Sequence, residues 1–137
     1  MSLLSTKGMY GLSAMYQLFL SKSEKPMQIK EISARADIPQ NYLEQLLILL
    51  RQAGLVTSVR GAYGGYLLAK NAEDILIKDI LIALEGNLNI VDSDIKDPVL
   101  KLFYEESRIK LQEIFNIPLS DFAVYIERHN AQLNYYI

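Results

Sequence analysis

The sequence predicts a mainly α chain in which two short helices, joined by a tight turn, are followed by a glycine-hinged β-hairpin and later by one long helix. Three observations carry this. Leu43, Leu46, Leu47 and Leu50 recur at the spacing of a single buried helix face, just after Asp37-Ile38-Pro39, where the residue ahead of proline is pushed out of the helical region. The stretch "SVRGAYGGYLLAK", residues 58–70, sets Gly61, Gly64 and Gly65 between two runs of strand-forming residues, with one cation, Arg60, near the tip. The run from about Pro98 to Phe115 is apolar on more than one helical face, and such a helix is covered on more than one side.

The elements follow in order. From Ser5 to about Ser21, Met9, Leu12, Tyr16 and Phe19 recur at helical steps. "KSEKP" interrupts them, and Pro26 opens a second unit in which Ile29, Ile32 and Ala36 mark a short helix. The third helix starts directly after the turn and is stopped by Gly54. Strands are expected over Leu55–Val59 and Tyr66–Ala69. Ile77, Ile80, Leu81 and Leu84 give a fourth helix, ended by Gly86. An acidic stretch, "NLNIVDSDIKDP", leads into the long helix; Pro118 breaks that helix, and Leu119, Phe122, Ala123 and Ile126 mark a last one, leaving a tail "NAQLNYYI". Two helices, a turn and a hairpin make a winged helix-turn-helix, with a three-helix core and a two-stranded β-wing. The expected division is residues 1–86 for this domain, 87–97 for a linker, and 98–137 for a long C-terminal dimerisation helix, a C-terminal helix and the tail. The dimer follows from the long helix, whose residues Leu100, Phe103, Leu111 and Ile114, or the set Val99, Leu102 and Ile109, would meet a partner subunit.

With 137 residues, half of them hydrophobic, the chain suffices for one domain with a proper core, or one domain plus a dimerisation element. No apolar run approaches the roughly 20 residues that span a bilayer, and the region around Lys7 has no cleavable apolar segment, so neither a membrane span nor a signal peptide is expected. There are no cysteines, which leaves out disulfides and thiolate metal sites and is most simply cytoplasmic. The net charge of −2 conceals an asymmetry: residues 1–70 carry eight Lys/Arg against four acids, residues 71–137 six against twelve. A basic first half and an acidic second half suit a module that approaches phosphates with one end.

Packing of three helices explains nearly every apolar side chain of the first half but not the polar start of the third helix. Gln40, Asn41, Tyr42, Glu44 and Gln45 there offer groups that hydrogen-bond base edges or phosphates. With Lys30 and Arg51 from the helices, and Arg60, Gly61 and Tyr63 from the wing, they are the candidate DNA contacts. The wing glycines would let Arg60 enter the minor groove, where narrow A·T-rich segments attract arginine. An enzyme is not expected. The single histidine, His129, reads as a surface or cap residue, the glycines match neither phosphate-binding fingerprint, and Asp92, Asp94 and Asp97 lack the glycine and closing Glu of a calcium loop. No metal ligands are assigned.

"STKGMYGLSAMYQL", "YLEQLLILLRQAGLVTSVRGAYGGYLLAK" and "IKDILIALEG" resemble, in order and spacing, the Rrf2 family of winged-helix regulators (the IscR, NsrR and CymR type). The resemblance is strong over residues 5–86 and looser over the long helix and "PLSDFAVYI". It implies a homodimeric bacterial transcription factor on double-stranded, pseudo-palindromic DNA. Within the family the likeness is greatest to the cysteine-metabolism repressors, which share "RGAYGGY", "LEG" and an ending in "YI". Family members that sense iron–sulfur status or nitric oxide carry three cysteines between the "LEG" helix and the long helix; here that interval has none, so no iron–sulfur cluster or other cofactor is expected.

Two functional readings stand at this point: a DNA-binding repressor of cysteine or sulfur metabolism, or of an unrelated operon answering another signal, and a winged-helix module that binds protein. The basic first half and Arg60 favour DNA. Tyr135, Tyr136 and Ile137 also have two readings. They pack on their own dimer, or, as the resemblance to the cysteine repressors implies, their carboxylate and isoleucine enter the active site of cysteine synthase (O-acetylserine sulfhydrylase) as a partner.

Overall fold

The computed structural model describes the chain except Met1, Ser23, Asp92, Tyr136 and Ile137, and except the side chain of Tyr135. Its helices are α1 (Thr6–Ser21), α2 (Ile29–Ala36), α3 (Gln40–Gln52), α4 (Ile77–Glu85), α5 (Pro98–Ile114) and α6 (Phe122–Tyr135), and its strands β1 (Val56–Val59) and β2 (Gly65–Leu68). Short 3-10 turns at Ala72–Asp74 and Leu119–Asp121 lead into α4 and α6.

The helix-turn-helix forms as the local signals dictate. Asp37 ends α2 in a left-handed conformation (φ 55°); an aspartate tolerates that region better than most residues. Pro39 then starts α3 with its carbonyl accepting from the Leu43 amide at 2.9 Å. Leu43, Leu46, Leu47 and Leu50 are fully buried, together with Met15 of α1, Ile32 of α2 and Ile80 of α4. This one core holds the helices at fixed angles and leaves the opposite face of α3 to solvent.

The wing is an antiparallel pair with Val56 opposite Leu68 and Val59 opposite Gly65. β1 begins one residue later than expected and ends where expected, and β2 is displaced by one residue; Leu55 and Ala69 still close the ladder, the Ala69 amide donating to the Leu55 carbonyl at 3.0 Å. The base of the wing is tied to the body by a further bridge, in which Met27 and Tyr66 exchange both amide–carbonyl bonds at 3.0 and 2.9 Å. Gly65 (φ 152°) makes that possible, since a Cβ there would run into the Met27 carbonyl.

Three details differ from the sequence expectation. On α1 the buried residues are Gly8, Gly11, Ala14, Met15 and Leu18, whereas the Met9–Leu12–Tyr16–Phe19 stripe is only partly covered and Met9 is 53% exposed. Small residues face α4 because it lies close: a Cβ on Gly11 would collide with Leu84. The expected tail is largely helical, since α6 continues through Asn130 to Tyr135; no Gly or Pro interrupts it, and Ala131, Gln132 and Leu133 are compatible with a helix. The calls on Tyr136 and Ile137, and on the side chain of Tyr135, lie outside the described residues. Finally, the chain after α5 packs back on the start of α4 and on the helical core. Ile77 and Lys78 donate to the Ile117 and Phe115 carbonyls at 2.8 and 2.7 Å, and Leu119 is buried in the same core as Met15 and Leu46.

α5 starts with Asp97 as its N-cap, the carboxylate accepting from the amides of Val99 and Leu100, with Pro98 in the first turn. It has no buried residue. Among the described residues no helix is long and apolar enough to cross a membrane.

Candidate nucleic-acid interface

The exposed face of α3 carries Gln40, Asn41, Glu44 and Gln45, all open to solvent. They are held there by the four buried leucines on the other side of the helix, so their positions are fixed by core packing and not by loop conformation. Tyr42 differs from its neighbours. Its ring is partly buried and meets the Tyr10 ring edge-on at 5.7 Å, which makes it first a packing residue of the α1–α3 contact. One residue of this face was missed by the polar pattern: Ile48 is 44% exposed and follows Asn41 and Gln45 at helical steps. Its signal was an aliphatic side chain out of phase with the leucine stripe, suited to apolar contact with a thymine methyl.

The cations converge beside it. Lys30 from the first turn of α2, Arg51 from the last turn of α3, and Arg60 and Gly61 from the wing line a single groove, with Gln28 and Ser58 between them. Arg51 Nη1 lies 3.4 Å from the Ser58 hydroxyl, to which it donates. Lys30 and Arg60 are exposed. α2 presents its N-terminal amides at the same place, the end of a helix that favours anions. The wing tip is shaped by Gly61 (φ 112°), whose carbonyl accepts from Gly64 at 3.0 Å. It leaves Tyr63 93% exposed. Thus Lys30, Arg51, Arg60 and Gly61 are brought together, Gln40, Asn41, Glu44 and Gln45 form the adjoining helical face, and Tyr63 stands at the tip.

The dimerisation candidates are outside this region. Val99 is 76% and Phe103 60% exposed, and Leu100, Leu102, Ile109 and Ile114 are also open, while Leu111 is partly covered. Neither of the two expected sets is buried within the chain itself. The donor set does not fit an iron–sulfur cluster: the sequence has no cysteine, and among the described residues no three His, Cys, Asp or Glu side chains gather as a metal site.

A helix pair locked by a leucine core, an exposed polar helix face and a basic, glycine-hinged wing together define a winged-helix DNA-binding regulator of transcription. The chain belongs to the Rrf2 family: the family model, described as an iron-dependent transcriptional regulator, matches residues 4–117. It is 36% identical over 136 residues to the HTH-type transcriptional regulator CymR of Bacillus subtilis (strain 168), covering 98% of this chain and 99% of that one. The structure of CymR, the global cysteine regulator of B. subtilis, superposes with a TM-score of 0.79 and 38% identity, covering 91% of this chain and 98% of the other. IscR of T. potens does so with a TM-score of 0.78 and 38% identity, over 92% and 89%. Matches to the protein rrf2 and to an IscR cover only 63% and 52% of those proteins' own length. These relatives are regulators, not enzymes.

Proposed function

We propose that the chain is a cytoplasmic homodimeric repressor that binds a pseudo-palindromic operator in double-stranded DNA and governs cysteine or sulfur metabolism without an iron–sulfur cluster. The observation that carries DNA binding is the meeting of Lys30, Arg51 and Arg60 in one groove beside the exposed face of α3. α3 would enter the major groove with Asn41, Glu44 and Gln45 toward base edges. Arg60 would reach the neighbouring minor groove, while Lys30 and Arg51 meet phosphates.

The dimer is supported by α5, whose Val99, Phe103 and Ile114 share one arc and are 76%, 60% and 64% exposed. Pairing them across a two-fold axis removes that apolar surface from water and sets two reading heads on one side of the duplex. The cysteine assignment is supported by the whole-length likeness to CymR, and the absence of cysteine supports a signal that does not run through a cluster. Cysteine synthase, whose active site would receive Tyr135-Tyr136-Ile137, is the partner implied by the sequence resemblance to the cysteine repressors.

The test is a gel shift against genomic fragments at two salt concentrations, followed by sequencing of the bound DNA. Recovery of inverted repeats ahead of sulfur-assimilation genes is expected. Repeats ahead of other genes would overturn the cysteine assignment. Absence of any specific fragment would overturn DNA binding and leave the winged helix as a protein-binding module.

A further inference from the structure

We propose that the cavity between the 89–95 linker and the back of α5 binds a small zwitterion of the α-amino acid type. The cavity measures about 230 Å³. That is several times the space a single water needs, and it suits a small ligand. Lys101, Tyr104, Glu105 and Arg108 line it from α5, and Ser93 and Asp94 from the linker. The four helical positions are spaced i, i+3, i+4 and i+7, so they form one continuous face.

Among the described residues, two cations and two carboxylates therefore border one small space. They do not neutralise each other: among the described residues, Lys101, Glu105, Arg108 and Asp94 take part in no ion pair. Arg108 and Tyr104 are also partly buried, whereas Lys101, Glu105 and Asp94 are exposed. A guanidinium carries five donors in a planar fork that matches a carboxylate, and withdrawing it from water without an acceptor is unfavourable. A simple anion would satisfy Arg108 and Lys101 but would meet the carboxylates of Glu105 and Asp94. A molecule bearing both a carboxylate and an ammonium satisfies both pairs.

This face lies roughly half a turn around the helix from Val99, Phe103 and Ile114. Pairing of two chains through those residues leaves the cavity open. The site stands independently of the operator assignment, because its test uses the full chain without DNA.

Calorimetric titration and thermal melting with the common free amino acids are the measurement, with acetate, methylammonium and inorganic phosphate as probes bearing one kind of charge. At least one small amino acid is expected to give saturable heat and raise the melting temperature, the single-charge probes neither. Arg108→Gln and Glu105→Gln should each weaken binding about tenfold or more with the helical dichroism unchanged. Amide chemical-shift mapping of the unaltered protein guards against misfolded variants, with changes expected at residues 89–95 and 101–108. No saturable binding by any amino acid would overturn the proposal. So would acetate or phosphate binding as tightly, full affinity in both variants, or shift changes elsewhere in the chain.

Discussion

Glu85, the last residue of α4, holds the first turn of α1 through Ser5. One carboxylate oxygen accepts from the Ser5 amide at 3.0 Å and from its hydroxyl at 2.6 Å, and the same oxygen accepts from the Gly8 amide at 3.1 Å. The first turn of a helix has amides without intrahelical partners, and here a side chain 80 positions away supplies the acceptor. Gly8 is part of the arrangement, since a Cβ there would strike the carboxylate. Glu85→Ala should therefore lower stability by about 1.5–3 kcal/mol, the range for hydrogen bonds to a charged group. Urea unfolding with an unchanged slope is the measurement.

The two wing glycines with positive φ separate strain from collision. Gly61 (φ 112°) has open space around it, whereas a Cβ on Gly65 would meet the Met27 carbonyl. Gly61→Ala should cost about 1–3 kcal/mol of backbone strain. Gly65→Ala should cost more and should also break the Met27–Tyr66 bridge, seen as loss of protection of both amides from hydrogen exchange.

The basic groove predicts distinct salt signatures. Arg60→Ala should weaken specific binding by about 1–3 kcal/mol. Lys30→Ala and Arg51→Ala should weaken cognate and random DNA alike, each reducing the slope of log affinity against log salt by about 0.9. Binding isotherms at several salt concentrations distinguish the two patterns.

On α3, Asn41→Ala and Gln45→Ala should relax base preference at individual operator positions at a cost of about 1–3 kcal/mol each. Tyr42→Phe should leave affinity unchanged, because the ring packs on Tyr10. Tyr42→Ala should lower the melting temperature instead. Selection from a randomised operator library reads out the first pair, and thermal melting the second.

Phe103→Asp, placing a charge in the middle of the open apolar arc of α5, should give a monomer by light scattering. The monomer should keep the melting behaviour of the body while its affinity for a full operator drops about a hundredfold, through loss of the second reading head.

The parts legible in the sequence were those with local signals. The four leucines of α3 state their own period, Asp37 and Pro39 mark the turn, and the glycines of the wing announce a hairpin. The buried face of α1 was not legible, because Gly8, Gly11 and Ala14 are buried through the closeness of α4 and have little hydrophobic signal of their own. The Met27–Tyr66 bridge and the pairing of Ile75–Lys78 with Phe115–Leu119 depend on contacts between distant segments, which no local pattern encodes. The candidate contacts on α3 were read as the polar complement of the leucine stripe; that rule includes Tyr42, which is partly buried against Tyr10, and leaves out Ile48, which is exposed on the same face, since position on the helix and burial are not the same quantity.

The bridge at the base of the wing has a consequence for the DNA. With Met27 leading directly into α2, the base of the hairpin is tied to the helix pair, which limits how far the spacing between the wing and α3 can adjust, as in a caliper. In the proposed complex the duplex must supply the compliance. Operators whose uncontacted steps bend easily, such as TA or CA, then bind better than stiff ones with identical contacted bases, and the regulator's preference extends to base pairs that no side chain reaches.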